Sequence, residues 1–91
     1  MSQQAIVNPD ELERFARELK QYNDYVRERT KRLHGQFRQL EDTWRDQEHR
    51  KFAGEFERTK RQVEQFLKAS DPYVPFLRRK AERVREYLRQ R

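Results

Sequence analysis

Leu40-Glu41-Asp42-Thr43-Trp44-Arg45-Asp46 is the stretch that decides the fold, because it holds the only tryptophan and separates two long runs of apolar residues at helical spacing. Upstream, Leu12, Leu19, Val26, Leu33 and Leu40 recur every seven residues, with Phe15, Ala16, Tyr22, Thr30 and Phe37 in the intervening steps of three and four. That seam, about 33 residues long, predicts a helix of roughly 50 Å. Downstream, Phe52, Ala53, Phe56, Val63, Phe66 and Leu67 carry the same period, with Asp46 placed as N-cap. Trp44 therefore marks a hinge between two antiparallel helices. A large aromatic there either locks the bend or anchors a second molecule.

The first helix has a marked beginning. Asn8 serves as N-cap, Pro9 takes the first helical position, Glu11 is placed to close a capping box, and Val7 can pack on Leu12. The single domain, 1–91, then divides into a helix over 9–41, a turn at 42–46 and a second helix over 47–70. In Ser70-Asp71-Pro72-Tyr73-Val74-Pro75 the prolines must end or kink that helix. The heptad phase survives the interruption, through Phe56, Val63, Ser70, Leu77 and Val84 and through Leu67, Val74, Ala81 and Leu88. A third segment over 76–89 is expected to continue the seam after a kink or tight break. A segment folding back against the hairpin is the alternative.

Only 33% of the residues are hydrophobic and 42% are charged, so the core must be thin. The periodic stripe and six phenylalanines argue against disorder and for an elongated helical protein. With no cysteine there is no disulfide or thiolate metal site. No apolar run reaches the ~20 residues of a membrane span, and Met1-Ser2-Gln3-Gln4 lacks the features of a secretory signal. Synthesis and folding in the cytoplasm are expected, with export by a route that reads no cleaved signal left open. A two-helix hairpin leaves half of each stripe wet, so self-association into a four-helix bundle is expected. The dimer seam is read as Leu12, Phe15, Leu19, Tyr22, Val26, Leu33, Phe37, Phe56, Val63 and Phe66.

The residues around the hinge resemble the WXG100 (ESAT-6-like) family. Leu40 lies four before the tryptophan, Trp44-Arg45-Asp46 stands where that family has Trp-x-Gly, and Phe52 follows eight later. The chain departs from the pattern at Asp46, in the glycine position. It also lacks a Tyr-x-x-x-Asp/Glu tail signal, since Tyr73 is followed four later by Leu77 and Tyr87 by Arg91. The resemblance implies a homodimer, or a heterodimer with a paralogous hairpin, acting as a type VII-like secretion substrate or adaptor without catalysis. Leu40, Trp44, Arg45, Asp46 and Phe52 are then the turn motif and partner contact.

The net charge of +6 is concentrated in the last 21 residues, which hold seven basic and three acidic side chains. Arg78, Arg79, Lys80, Arg83, Arg85, Arg89 and Arg91 surround the seam residues of the third segment. They form either a solubilising helix end or a surface for an acidic protein partner, anionic lipid or nucleic acid. A basic nucleic-acid-binding protein and a scaffold subunit are the alternative functions; nucleic acid is disfavoured because the first 70 residues are almost charge-balanced. His34 and His49 read as solvated surface, with no metal-ligand pattern, cofactor motif or catalytic constellation. Gly35 and Gly54 flank the hinge at similar distances, as a close approach by a partner's backbone would require. Glu13-Arg17, Glu28-Arg32 and Glu57-Arg61 have the spacing of exposed ion pairs.

Overall fold

The computed structural model describes residues 7–90. Three helices make up the described residues: α1 (Pro9–Leu40), α2 (Gln47–Ser70) and α3 (Tyr73–Arg89). α1 runs antiparallel to α2 and α3 taken in succession. Arg85 in α3 reaches Asp10 and Glu13 at the start of α1, Asn23 meets Ser70 midway, and Phe37 meets Phe52 near the hinge. The third segment thus extends the hairpin rather than folding back on it. A rod of 68 × 24 × 13 Å results, with a radius of gyration of 20.5 Å, against about 12 Å for a compact chain of this length.

The Asn8 side chain accepts from the amides of Asp10 and Glu11 at 2.8 and 3.2 Å, and Pro9 sits where a missing donor costs nothing. The return bond of a capping box, from Glu11 to the Asn8 amide, is not formed. At the α2–α3 break only Asp71 and Pro72 leave the helix, and the Asp71 amide still bonds the Leu67 carbonyl at 2.8 Å. α3 therefore begins at Tyr73, not at 76. Pro75 is accommodated inside its first turn, where backbone amides have no helical acceptor.

The core is a single thin line: Ala16, Leu67, Val74, Ala81 and Val84 are the buried apolar residues, joined by buried Asn23 and Ser70. Small side chains let α1 approach α3 closely, whereas Phe37, Phe52, Phe56 and His34 hold α1 and α2 further apart. The hairpin is tight at its open end and wide at its hinge. Gly35 and Gly54 both face open space, and a β-carbon at either position would meet nothing within 4 Å, so nothing within the chain demands them.

Candidate protein-interaction site

The turn is built without any left-handed residue. The Leu40 carbonyl accepts from the amides of Thr43 and Trp44 at 3.2 and 3.0 Å, tightening the end of α1, and Arg45 Nε donates to the Asp42 carbonyl at 3.3 Å. Asp46 is extended, at φ −101° and ψ −173°, and caps α2 by accepting from the His49 amide at 3.0 Å. The same carboxylate oxygen accepts from Trp44 Nε1 at 2.9 Å. A glycine would supply neither bond. Aspartate in the glycine position is thus a working variant of the turn, made by hydrogen bonding instead of by backbone freedom.

Trp44 is half-buried against the first turns of α2, its ring edge-on to His49 at 5.4 Å and tilted against Phe52 at 5.9 Å. His49 is not solvated: its side chain is 17% exposed, stacks on Phe37 and pairs through Nε2 with Glu41 Oε2 at 2.9 Å. His34 also departs from the surface reading. It stacks on Phe56 at 6.2 Å, and its Nδ1 is buried without a hydrogen-bond partner. Both histidines are drawn inward because the wide end of the hairpin has to be filled by planar rings. Phe37 is the hub of this cluster, within 4.9 Å of Phe56 and 5.5 Å of Phe52 between ring centres.

The two flanks of the rod differ in kind. One is polar: Arg85 forms ion pairs with Asp10 and Glu13, Arg27 with Asp71, and His49 hydrogen-bonds Glu41. The other is apolar and bare. Phe15, Tyr22, Leu33, Leu40, Phe52 and Phe66 are between 41% and 58% exposed, while Leu12, Leu19 and Val26 beside them are half-buried. Tyr22 and Phe66 meet edge-on across the helices at 6.2 Å, beside a groove of about 270 Å³ lined by Tyr22, Val26, Thr59, Gln62, Val63 and Phe66. Of the expected seam residues, Phe37 and Phe56 instead face inward, into the aromatic cluster. The sequence pattern groups Leu40 and Phe52 with Trp44; Leu40 lies on the bare flank and Phe52 spans both settings.

The sequence pattern places Ser70 on the seam and singles out no partner for it. Asn23, 1% exposed, accepts from Ser70 Oγ at 2.9 Å and donates to Asp71 Oδ1 at 3.2 Å, and Arg27 closes on the same carboxylate. The signal is present, since Asn23 lies seven residues from Ala16 and from Thr30, in the phase that faces α3. A polar residue in a buried heptad position fixes which residue stands opposite it. Here it pins the α2–α3 break to the middle of α1.

The basic residues of α3 divide in two. Arg85 is largely enclosed, and hydrogen bonds to Asp10 and Glu13, with a third to Glu82, raise its pKa still further. Arg89 approaches Glu86 at 3.8 Å, whereas Arg78, Arg79, Lys80 and Arg83 are exposed. Arg91 lies outside the described residues. Glu13 reaches Arg85 rather than Arg17, and the expected pairs Glu28-Arg32 and Glu57-Arg61 are not formed; the pairs within one helix are Lys20-Asp24, Asp24-Arg27, Glu82-Arg85 and Glu86-Arg89. Among the described residues no group of three His, Asp or Glu could hold a metal ion, and no helix is long and apolar enough to cross a membrane.

A helical hairpin with a tryptophan turn and one apolar flank is the class these features define. The family described as proteins of 100 residues with WXG matches residues 4–87. The chain belongs to the WXG100 family. Among solved structures it is similar to the secreted protein EsxB from Bacillus anthracis strain Sterne. A mutant form of that protein superposes with a TM-score of 0.80 at 30% identity, covering 89% of this chain and 94% of that one. A selenomethionine-labelled form gives 0.78 at 29%, covering 96% and 98%, and a wild-type form 0.77 at 29%, covering 93% and 97%. No curated protein matches at comparable stringency.

Proposed function

We propose that this chain is a non-catalytic interaction module, a hairpin that pairs through its apolar flank into a four-helix bundle and serves a type VII-like secretion apparatus as substrate or adaptor. The observation that carries the pairing is the asymmetry of the rod. Six large apolar side chains stand about half exposed on one flank, and the opposite flank is occupied by ion pairs. So much apolar surface on so thin a core is stabilised by a second hairpin laid along it. Secretion is supported by the likeness to EsxB, which is described as a secreted protein.

Light scattering behind a sizing column tests the pairing. The wild-type chain is expected to run as a dimer at micromolar concentration, and Tyr22→Glu with Phe66→Glu to run as a helical monomer. A monomeric wild type, or a dimer indifferent to both charges, overturns the reading. Immunoblotting of cells and medium from the producing bacterium, with and without its type VII ATPase, tests export; equal amounts in both media remove the secretion assignment.

A further inference from the structure

α3 spends one side on the hairpin and leaves the other bare. Val74, Ala81 and Val84 are buried against α1, while Tyr73, Phe76 and Tyr87 are 55%, 53% and 52% exposed. Lys80 and Arg83 lie between them, also exposed. These five residues follow one another at steps of three, four, three and four, which places them in a second stripe along the outside of α3, about 21 Å long.

Within the described residues, the cations in this stripe pair with no carboxylate. Arg85 is taken by Asp10, Glu13 and Glu82, and Arg89 by Glu86, whereas among the described residues no carboxylate pairs with Arg78, Arg79, Lys80 or Arg83. We propose that the stripe is a docking surface for an acidic amphipathic helix of a different protein, with apolar side chains against Tyr73, Phe76 and Tyr87 and carboxylates opposite Lys80 and Arg83. This goes beyond pairing through the apolar flank.

Three observations select that occupant. The alternation of three and four is the spacing that a second helix, crossing at about 20°, meets along its length. The two central cations repel the same stripe of another copy and complement carboxylates. α3 is also held in place beforehand, by its buried face and by Arg85, so little ordering remains to oppose docking.

The probe is a synthetic amphipathic helix as long as the stripe, with leucines at both ends and glutamates at the centre of one face, followed by fluorescence anisotropy with the full chain. Saturable binding is expected, weakened at least about tenfold by Lys80→Glu with Arg83→Glu and by glutamine in place of the peptide's glutamates. Phe76→Ala should weaken it as well. Both cations are exposed and pair with no carboxylate among the described residues, so circular dichroism should show the charge-reversed variant unchanged in helix content. The proposal is overturned by equal binding of the glutamine peptide, or by tighter binding of phosphatidylglycerol vesicles or duplex DNA that the same variant abolishes. A charge-reversed variant that no longer dimerises would assign the stripe to a second copy, also overturning it. Loss of dimerisation in the Tyr22 and Phe66 variants, with peptide binding intact, leaves it standing.

Discussion

Trp44 Nε1 donates to Asp46 Oδ1 at 2.9 Å, and that oxygen also accepts from the His49 amide at 3.0 Å, so one carboxylate fixes the turn and starts the next helix. Removing it should cost both functions. Asp46→Ala is expected to lower stability by about 2 kcal/mol, roughly half from the lost cap and half from the lost indole bond. Asp46→Gly restores the family's residue and keeps a tolerable cap, so it should cost only about 1 kcal/mol. Urea unfolding of the two variants, with Trp44 emission as the signal, gives the order; a glycine variant less stable than the alanine one contradicts this account of the turn.

Asn23 and Ser70 form the other short polar link, and both are buried. Asn23→Ala leaves the Ser70 hydroxyl without its acceptor and removes the amide donor to Asp71 Oδ1, while Arg27 stays on the other carboxylate oxygen, at a cost of about 2 kcal/mol. Ser70→Ala should cost less, and the double variant should be better than the sum of the two by about 1 kcal/mol. A thermodynamic cycle of these variants measures that coupling. Strict additivity would show that the two side chains act independently and would remove the registering role given to Asn23.

Much of the hairpin is legible in the sequence because its signals are local and periodic. Asn8-Pro9 starts α1, Trp44 marks the turn, and the uninterrupted heptad phase from Val63 through Leu77 to Val84 carries the seam across two prolines. What stays hidden depends on the separation of the helices. Whether His34 and His49 face water or a ring is set by how far Phe37 and Phe56 prop α1 from α2, which a pattern within one helix does not encode. In the same way Arg85 looks like its basic neighbours, and only the antiparallel register brings it against Asp10 and Glu13. The bare flank is visible as a stripe; which residues of that stripe turn inward is not.

Acid should loosen the chain through its carboxylates. A hydrogen bond from Lys20, with Arg27 nearby, holds the Asp24 carboxyl below its ordinary 3.8. A carboxylate whose folded pKa is depressed adds stability above its unfolded value, and that contribution fades as the pH falls through the folded one. Arg85 is shifted the other way, above its ordinary range, so its own ionisation is constant through the acid and neutral region. Ellipticity at fixed sub-denaturing urea should therefore fall below about pH 4, and Asp24→Asn should flatten part of that fall. An unchanged profile in the variant would mean that the Lys20 contact contributes nothing in solution.

Two phenylalanines separate the fold from the pairing surface. Phe37 sits inside the aromatic cluster, with ring centres of Phe56, Phe52 and His49 at 4.9, 5.5 and 5.8 Å, whereas Phe15 is 58% exposed on the bare flank. Truncating a packed phenylalanine removes its transfer energy and leaves a void, so Phe37→Ala is expected to lower the stability of the hairpin by about 3 kcal/mol at any protein concentration. Phe15→Ala removes a ring that touches mostly water in the single chain. Its effect should be small where the protein is monomeric and should grow with concentration, as the dimer that would cover the ring becomes populated. Thermal unfolding of both variants across a hundredfold dilution series distinguishes the two. If the Phe15 variant loses the same stability at every concentration, the flank carrying Phe15 packs within the chain and is not the surface that pairs.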